Sequence, residues 1–157
     1  MLPCYHVAVL AFPLIGLIHL LALSAPDAGL EPGLGEHTPA FQAVLLAREL
    51  LAGDLDALQT ATPNGFTFEE RQAWSQGAIH SEWFQALERR PLAGTQLYGV
   101  EVLSLDEMVK RYGKPPARLS TLNLSAARVA VVNLGGRALL VFFRKRGEAW
   151  VLSGISD

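Results

Sequence analysis

The spacing of apolar and polar positions along this chain changes character three times. Residues 7–25, VAVLAFPLIGLIHLLALSA, are apolar almost throughout and carry no formal charge. From Ala40 the spacing becomes helical. Phe41, Val44, Leu45, Ala47, Leu50 and Leu51 fall on one stripe, the pattern of a helix with one buried face. Thr38-Pro39 offers an N-cap and a first-turn proline, and Gly53 a stop. Asp54 then caps a short second helix, LDALQTA, and TPNGF turns the chain. Thr67 and Glu70 have capping-box spacing and predict a third helix over 69–90. On it Ala73, Gly77, His80, Phe84 and Leu87 share a face, which Ile79, Trp83 and Ala86 widen. Arg89 and Arg90 sit in its last turn, where cations suit the helix dipole.

Beyond Thr95 the chain turns β-prone. Residues 95–105 predict a strand, with Gly99 marking a bulge. Asp106 to Tyr112 predicts one or two turns of helix, which Gly113 ends and Pro115-Pro116 keeps from resuming. Leu119 to Leu124 predicts a strand. Three further runs, 128–134, 137–145 and 149–155, are joined by Gly135-Gly136 and by Arg146-Gly147-Glu148. Both joints are hairpin signals. Helices followed by an antiparallel meander make an α+β domain. In the second run Leu139, Val141 and Phe143 point one way, Leu140 and Phe142 the other, so both faces call for cover. A partner copy, the linker or the N-terminal segment are the covers the sequence offers. Leu140 and Phe142 therefore mark an expected homodimer face.

The first 25 residues divide from the rest. The apolar stretch has the length of a membrane anchor. It also has the central region of a signal peptide, with Ala22-Leu23-Ser24 as a small-residue cleavage site. A buried helix of the domain is the third reading. The proline- and glycine-rich stretch that follows argues for a linker instead. The expected organisation is a signal peptide or anchor over 1–25, a linker over 26–37 and a domain over 38–157. Either of the first two readings places the domain outside the cytoplasm. Cys4 precedes the apolar stretch and so cannot serve as a lipoprotein cysteine.

Composition changes this picture little. The 157 residues suffice for one domain, and half are apolar. The net charge of −2 hides an asymmetry: residues 89–157 hold eleven of the thirteen basic residues. No Lys/Arg run exceeds three, so an acidic helical half neutralising a basic strand half explains the split without nucleic acid. One cysteine excludes a disulfide framework and a thiolate zinc site within one chain. His6, His19, His37 and His80 lack metal-ligand spacing, and no metal or cofactor is expected. The glycine pairs lack a phosphate-loop pattern, and Ser153 lacks a nucleophile elbow. Asn123-Leu124-Ser125 is a glycosylation sequon, relevant only in a eukaryotic secretory pathway.

Two stretches carry a resemblance. LLAGDLDALQTATPNGF, a helix broken at Gly-Asp and resumed with Leu-x-x-Leu, resembles the first-to-second helix corner of the NTF2-like superfamily. LLVFFRKRGEAWVLSGI resembles that superfamily's closing hairpin, where apolar strand residues precede a basic-Gly turn and a tryptophan strand. The order of elements over about residues 38–157 also fits. The resemblance implies a cone: N-terminal helices packed on a curved antiparallel sheet, a cavity at the open end, and a sheet surface often used for dimers. The segment from Asp106 to Pro116 looks like an insertion between strands. The fold serves nuclear transport factor 2, ketosteroid isomerase, scytalone dehydratase and polyketide cyclases, and so implies no single function.

Enzymes of that superfamily project a carboxylate or histidine into the cone. His80, Glu101 and Asp157 are the candidates here, and none reproduces the paired acid or acid–histidine patterns of those enzymes. Each has a plainer reading: a histidine at the cavity rim, an outward strand carboxylate, and the last residue of the sequence. Trp74, His80, Trp83, Phe84 and Tyr98 are the expected ligand-cavity residues, with core packing as the alternative for the tryptophans. The leading expectation is an extracytoplasmic domain that binds a small apolar ligand or a partner protein without catalysis. An isomerase, dehydratase or cyclase built on His80 or Glu101 is the second. The third is a membrane-anchored assembly subunit, since scaffold proteins of type IV secretion share the fold behind one N-terminal span.

Overall fold

Thr38 caps the first helix. Its hydroxyl accepts from the Phe41 N–H at 3.3 Å, and Pro39 occupies the first turn of helix α1, Pro39–Ala52. Gly53 at φ 67° ends the helix in the left-handed region. Asp54 caps α2, Leu55–Ala61, by accepting from the Ala57 N–H at 3.0 Å. These two helices fall where the sequence predicts them. The computed structural model describes residues 37–115, 117–119, 122, 124 and 126–156. The N-terminal apolar segment, Cys4, Asn123 of the sequon and Asp157 lie outside them.

The next segment departs from expectation. Thr67 does not cap a helix. Phe66–Phe68 forms strand β1 and Arg71–Ala73 forms β2, a tight antiparallel hairpin in which Phe66 pairs with Ala73. Helix α3 is shorter than predicted, Gln76–Arg89, and Ser75 is its cap, accepting from the Ala78 N–H at 3.2 Å. Long-range pairing decides against the helix. β1 lies parallel to the last strand, with Thr67 opposite Gly154 and Phe68 opposite Ile155. Phe66 and Phe68 then stack edge-on at 4.8 Å, and Phe68 meets Trp83 of α3 at 4.9 Å. Such aromatic burial outweighs the weak local preference of a capping box.

Strand β3, Leu97–Ser104, carries the register shift between Leu97 and Gly99 that the glycine announces. Helix α4, Leu105–Tyr112, follows at once. Over the next stretch the predicted strand is not formed among the described residues: Ala117–Leu119 makes one 3-10 turn instead. β4, Arg128–Leu134, β5, Arg137–Arg146, and β6, Ala149–Ser156, complete the chain as the sequence predicts. Gly135 and Gly136 both take positive φ between β4 and β5, as a two-residue hairpin of matching twist requires. The open sheet runs β2-β1-β6-β5-β4-β3, antiparallel except at β1–β6. The molecule is α+β.

Two apolar layers form, one on each face of the sheet. The larger unites α1, α2 and α3 with Phe66, Phe68, Val132, Val141 and Phe143. Gln42 of α1 ties this layer to β6 by donating to the Trp150 carbonyl at 2.8 Å. The smaller holds Phe142 and Val129 beneath Met108, Leu119 and Leu122, with Leu140 packed at its margin. Leu140 and Phe142, the expected partner face, both belong to this layer, Leu140 half-buried. Phe142 is fully buried by the chain's own segment between β3 and β4. Met108, Leu119 and Leu122 of that segment pack on the sheet because they need the same cover that Phe142 does.

Candidate functional site

The helical layer does not fill the space between α3 and the sheet. A cavity of about 430 Å³ opens there, within the size range of small-molecule sites. Leu50 of α1, Trp83 and Leu87 of α3, Leu134 and Leu139 of the β4–β5 hairpin, and Ile155 of β6 give it apolar walls. Charged residues join the lining: Glu69 and Arg71 of the β1–β2 hairpin, Glu82 on α3, Arg89 and Arg90 at its end, and Arg137 at the start of β5. Arg71 pairs with Glu82 at 2.7 Å, and the Glu82 side chain is largely shielded from solvent.

Trp83 positions the inner wall. It is fully buried, and its indole N–H donates to the Thr62 hydroxyl at 2.9 Å. That hydroxyl in turn donates to the Leu58 carbonyl at 2.6 Å. The buried indole is thus satisfied within the domain, and α3 is fixed in rotation against α2. Glu69 stands at the hairpin turn with φ 53°, and its N–H donates to the Ile155 carbonyl at 3.0 Å. The parallel β1–β6 contact behind it is close. A Cβ on Gly154 would lie 2.8 Å from the Thr67 carbonyl oxygen and 2.9 Å from Leu122 Cδ2. Only glycine admits that approach.

Of the five expected cavity residues, only Trp83 lines the cavity. The α3 face is turned from its predicted bearing: Ile79 and Trp83 are buried, while Gly77 and His80 are exposed and Phe84 is 46% exposed. The helix carries two overlapping apolar arcs, and the one with the heavier side chains takes the core. Trp74 and Tyr98 are each 68% exposed. Trp74 lies over the backbone of Gly65, where an added Cβ would sit 3.0 Å from its ring. His80 and Glu101 do not line the cavity. Glu101 is exposed and ion-paired with Arg111 of α4. This carboxylate is the main reason the Arg111 guanidinium titrates above its ordinary value.

The sequence reading passed over Arg71, Glu82 and Arg137. The signal for Glu82 was present in its position beside Trp83, once the bearing of α3 is known. Arg71 and Arg137 come from separate hairpins, and nothing in local spacing joins them. Among the described residues no cluster of three or more His, Cys, Asp or Glu side chains could hold a metal ion, and no helix is long and apolar enough to cross a membrane.

Comparison of the chain with protein-family models, curated protein sequences and solved structures finds no match in any of the three.

Proposed function

We propose that this chain is a small-molecule binding domain of NTF2-like architecture, and that the cavity between α3 and the sheet is its ligand site. The apolar-walled cavity of about 430 Å³ carries this reading. The element order supports the cone: two helices, a hairpin, a third helix and a four-stranded meander. A binding role is favoured over catalysis because His80 and Glu101 stand off the cavity, and Glu82 on its wall is engaged by Arg71. The apolar stretch over 7–25 and the linker behind it favour an extracytoplasmic domain, secreted or anchored. The intact mass of the chain from its host distinguishes the two: a mature chain beginning near Ala25 is the secreted form, and a full-length chain is the anchored one.

Burying an alkyl chain contributes about 0.8 kcal/mol per methylene. A ten-carbon neutral probe such as decanol is therefore expected to bind in the micromolar range, read by calorimetry or tryptophan fluorescence. Ala86→Phe, which fills the cavity from α3, is expected to abolish binding while the circular dichroism spectrum is retained. Absence of decanol binding to the parent chain would reject the reading. Unchanged binding by a folded Ala86→Phe variant would move the site elsewhere.

A further inference from the structure

One charge on the cavity wall is withdrawn from solvent. The Glu82 side chain is only 16% exposed, whereas Glu69, Arg71, Arg89, Arg90 and Arg137 on the same lining are exposed residues. Arg89 donates to Gln85 at 2.9 Å, and Arg90 is engaged as well. Ser156, a buried polar residue of the lining, accepts from Arg118 at 3.4 Å. Arg71 reaches the Glu82 Oε2 at 2.7 Å. That contact balances the charge of Glu82 and leaves hydrogen-bonding capacity on both partners. A carboxylate has about four lone-pair sites, of which one guanidinium fills about two, and the guanidinium keeps further N–H donors. Among the described residues neither group has another partner. Beside the pair lies the apolar space walled by Trp83, Leu87, Leu134 and Leu139.

We infer that the ligand is a neutral apolar alcohol whose hydroxyl bridges the Arg71–Glu82 pair. The hydroxyl donates to the carboxylate and accepts from the guanidinium, and the tail lies between α3 and the sheet. The inference rests on the cavity being the ligand site and adds the head group of its occupant. A shielded carboxylate with open acceptor sites is costly unless donors meet it. Water supplies donors in an open cavity. An apolar tail expels that water, and a head group that cannot replace its hydrogen bonds loses affinity. A hydroxyl is neutral and both donates and accepts. An ether or a ketone only accepts, and leaves Glu82 unmet. A carboxylate would bring a second negative charge against Glu82, and an amine a second cation against Arg71.

The test compares decanol with its isomer methyl nonyl ether on the full chain. The two have the same heavy atoms and differ in the O–H donor. Decanol is expected to bind about tenfold tighter, the scale of one hydrogen bond to a charged group. Decanoate and decylamine are expected to bind more weakly than decanol. Glu82→Leu is expected to bring decanol and the ether within about twofold of each other, since no acceptor remains at that position. Glu82→Gln keeps an acceptor without the charge and is expected to retain about a threefold preference. Circular dichroism checks that both variants fold. Equal binding of decanol and the ether by the parent chain would overturn the inference and leave the cavity reading intact. So would tighter binding of decanoate or decylamine, or an undiminished preference in either folded variant. Failure of decanol to bind the parent chain would overturn the inference and the cavity reading together.

Discussion

Two buried threonines make opposite predictions from the same side chain. The Thr62 hydroxyl accepts from the Trp83 indole and donates to the Leu58 carbonyl. The Thr67 hydroxyl is equally buried and has no hydrogen-bond partner among the described residues. Valine has nearly the shape of threonine without its polar atom. Thr62→Val leaves a buried indole N–H unpaired and is expected to cost about 1–3 kcal/mol. Thr67→Val removes a hydroxyl desolvated without compensation, and is expected to be neutral or stabilising by about 1 kcal/mol. Urea denaturation midpoints measure both, and equal destabilisation by the two substitutions would contradict the assignment. Neither role is legible in the sequence, since each depends on a residue more than twenty positions away or on the opposite strand.

At the scale of elements, the caps show how far local signals reach. Thr38-Pro39, Asp54 and Gly53 mark α1 and α2 correctly because their partners lie within one turn. Thr67 and Glu70 carry the same kind of signal and yield a strand and a turn, because Phe66 and Phe68 gain more by packing on Trp83. The complete capping box lies elsewhere, at the start of α4. Ser104 donates to the Glu107 carboxylate from its N–H at 2.7 Å and its hydroxyl at 2.6 Å, and the Glu107 N–H donates back at 3.2 Å. The hydroxyl bond and then the backbone bond hold the Glu107 carboxyl below its ordinary pKa. A carboxyl lowered in the folded state stabilises the fold above its unfolded pKa. That stability is lost as pH falls through the folded value. Glu107→Gln is therefore expected to lower stability at pH 7. The gap to the parent chain should narrow below about pH 4. Denaturation midpoints of the two proteins at pH 7 and pH 3 test this, and a gap that does not depend on pH would remove Glu107 as the cause.

At the scale of the whole molecule, the meander is legible because glycine joints and two-residue periodicity are local. The cavity is not. It exists because α3 presents Trp83 rather than His80, and its arginines meet only after three elements are placed. The outer face is the other global feature. Sequence alone shows that Phe142 needs cover; it does not show that the segment between β3 and β4 supplies it. Ser104 and Arg128, which bracket that segment, are paired across β3 and β4. A short Gly/Ser linker in place of residues 106–126 would therefore close the same gap. It would also expose Phe142 and Val129, and the shortened chain is expected to self-associate at micromolar concentration in light scattering. A shortened chain that stays monomeric would show that the face needs no cover. In the intact chain the cover is tethered at both ends, so its effective concentration over the sheet is set by the chain and not by the solution. Sealing of this face does not weaken on dilution, as a cover borrowed from a second copy would.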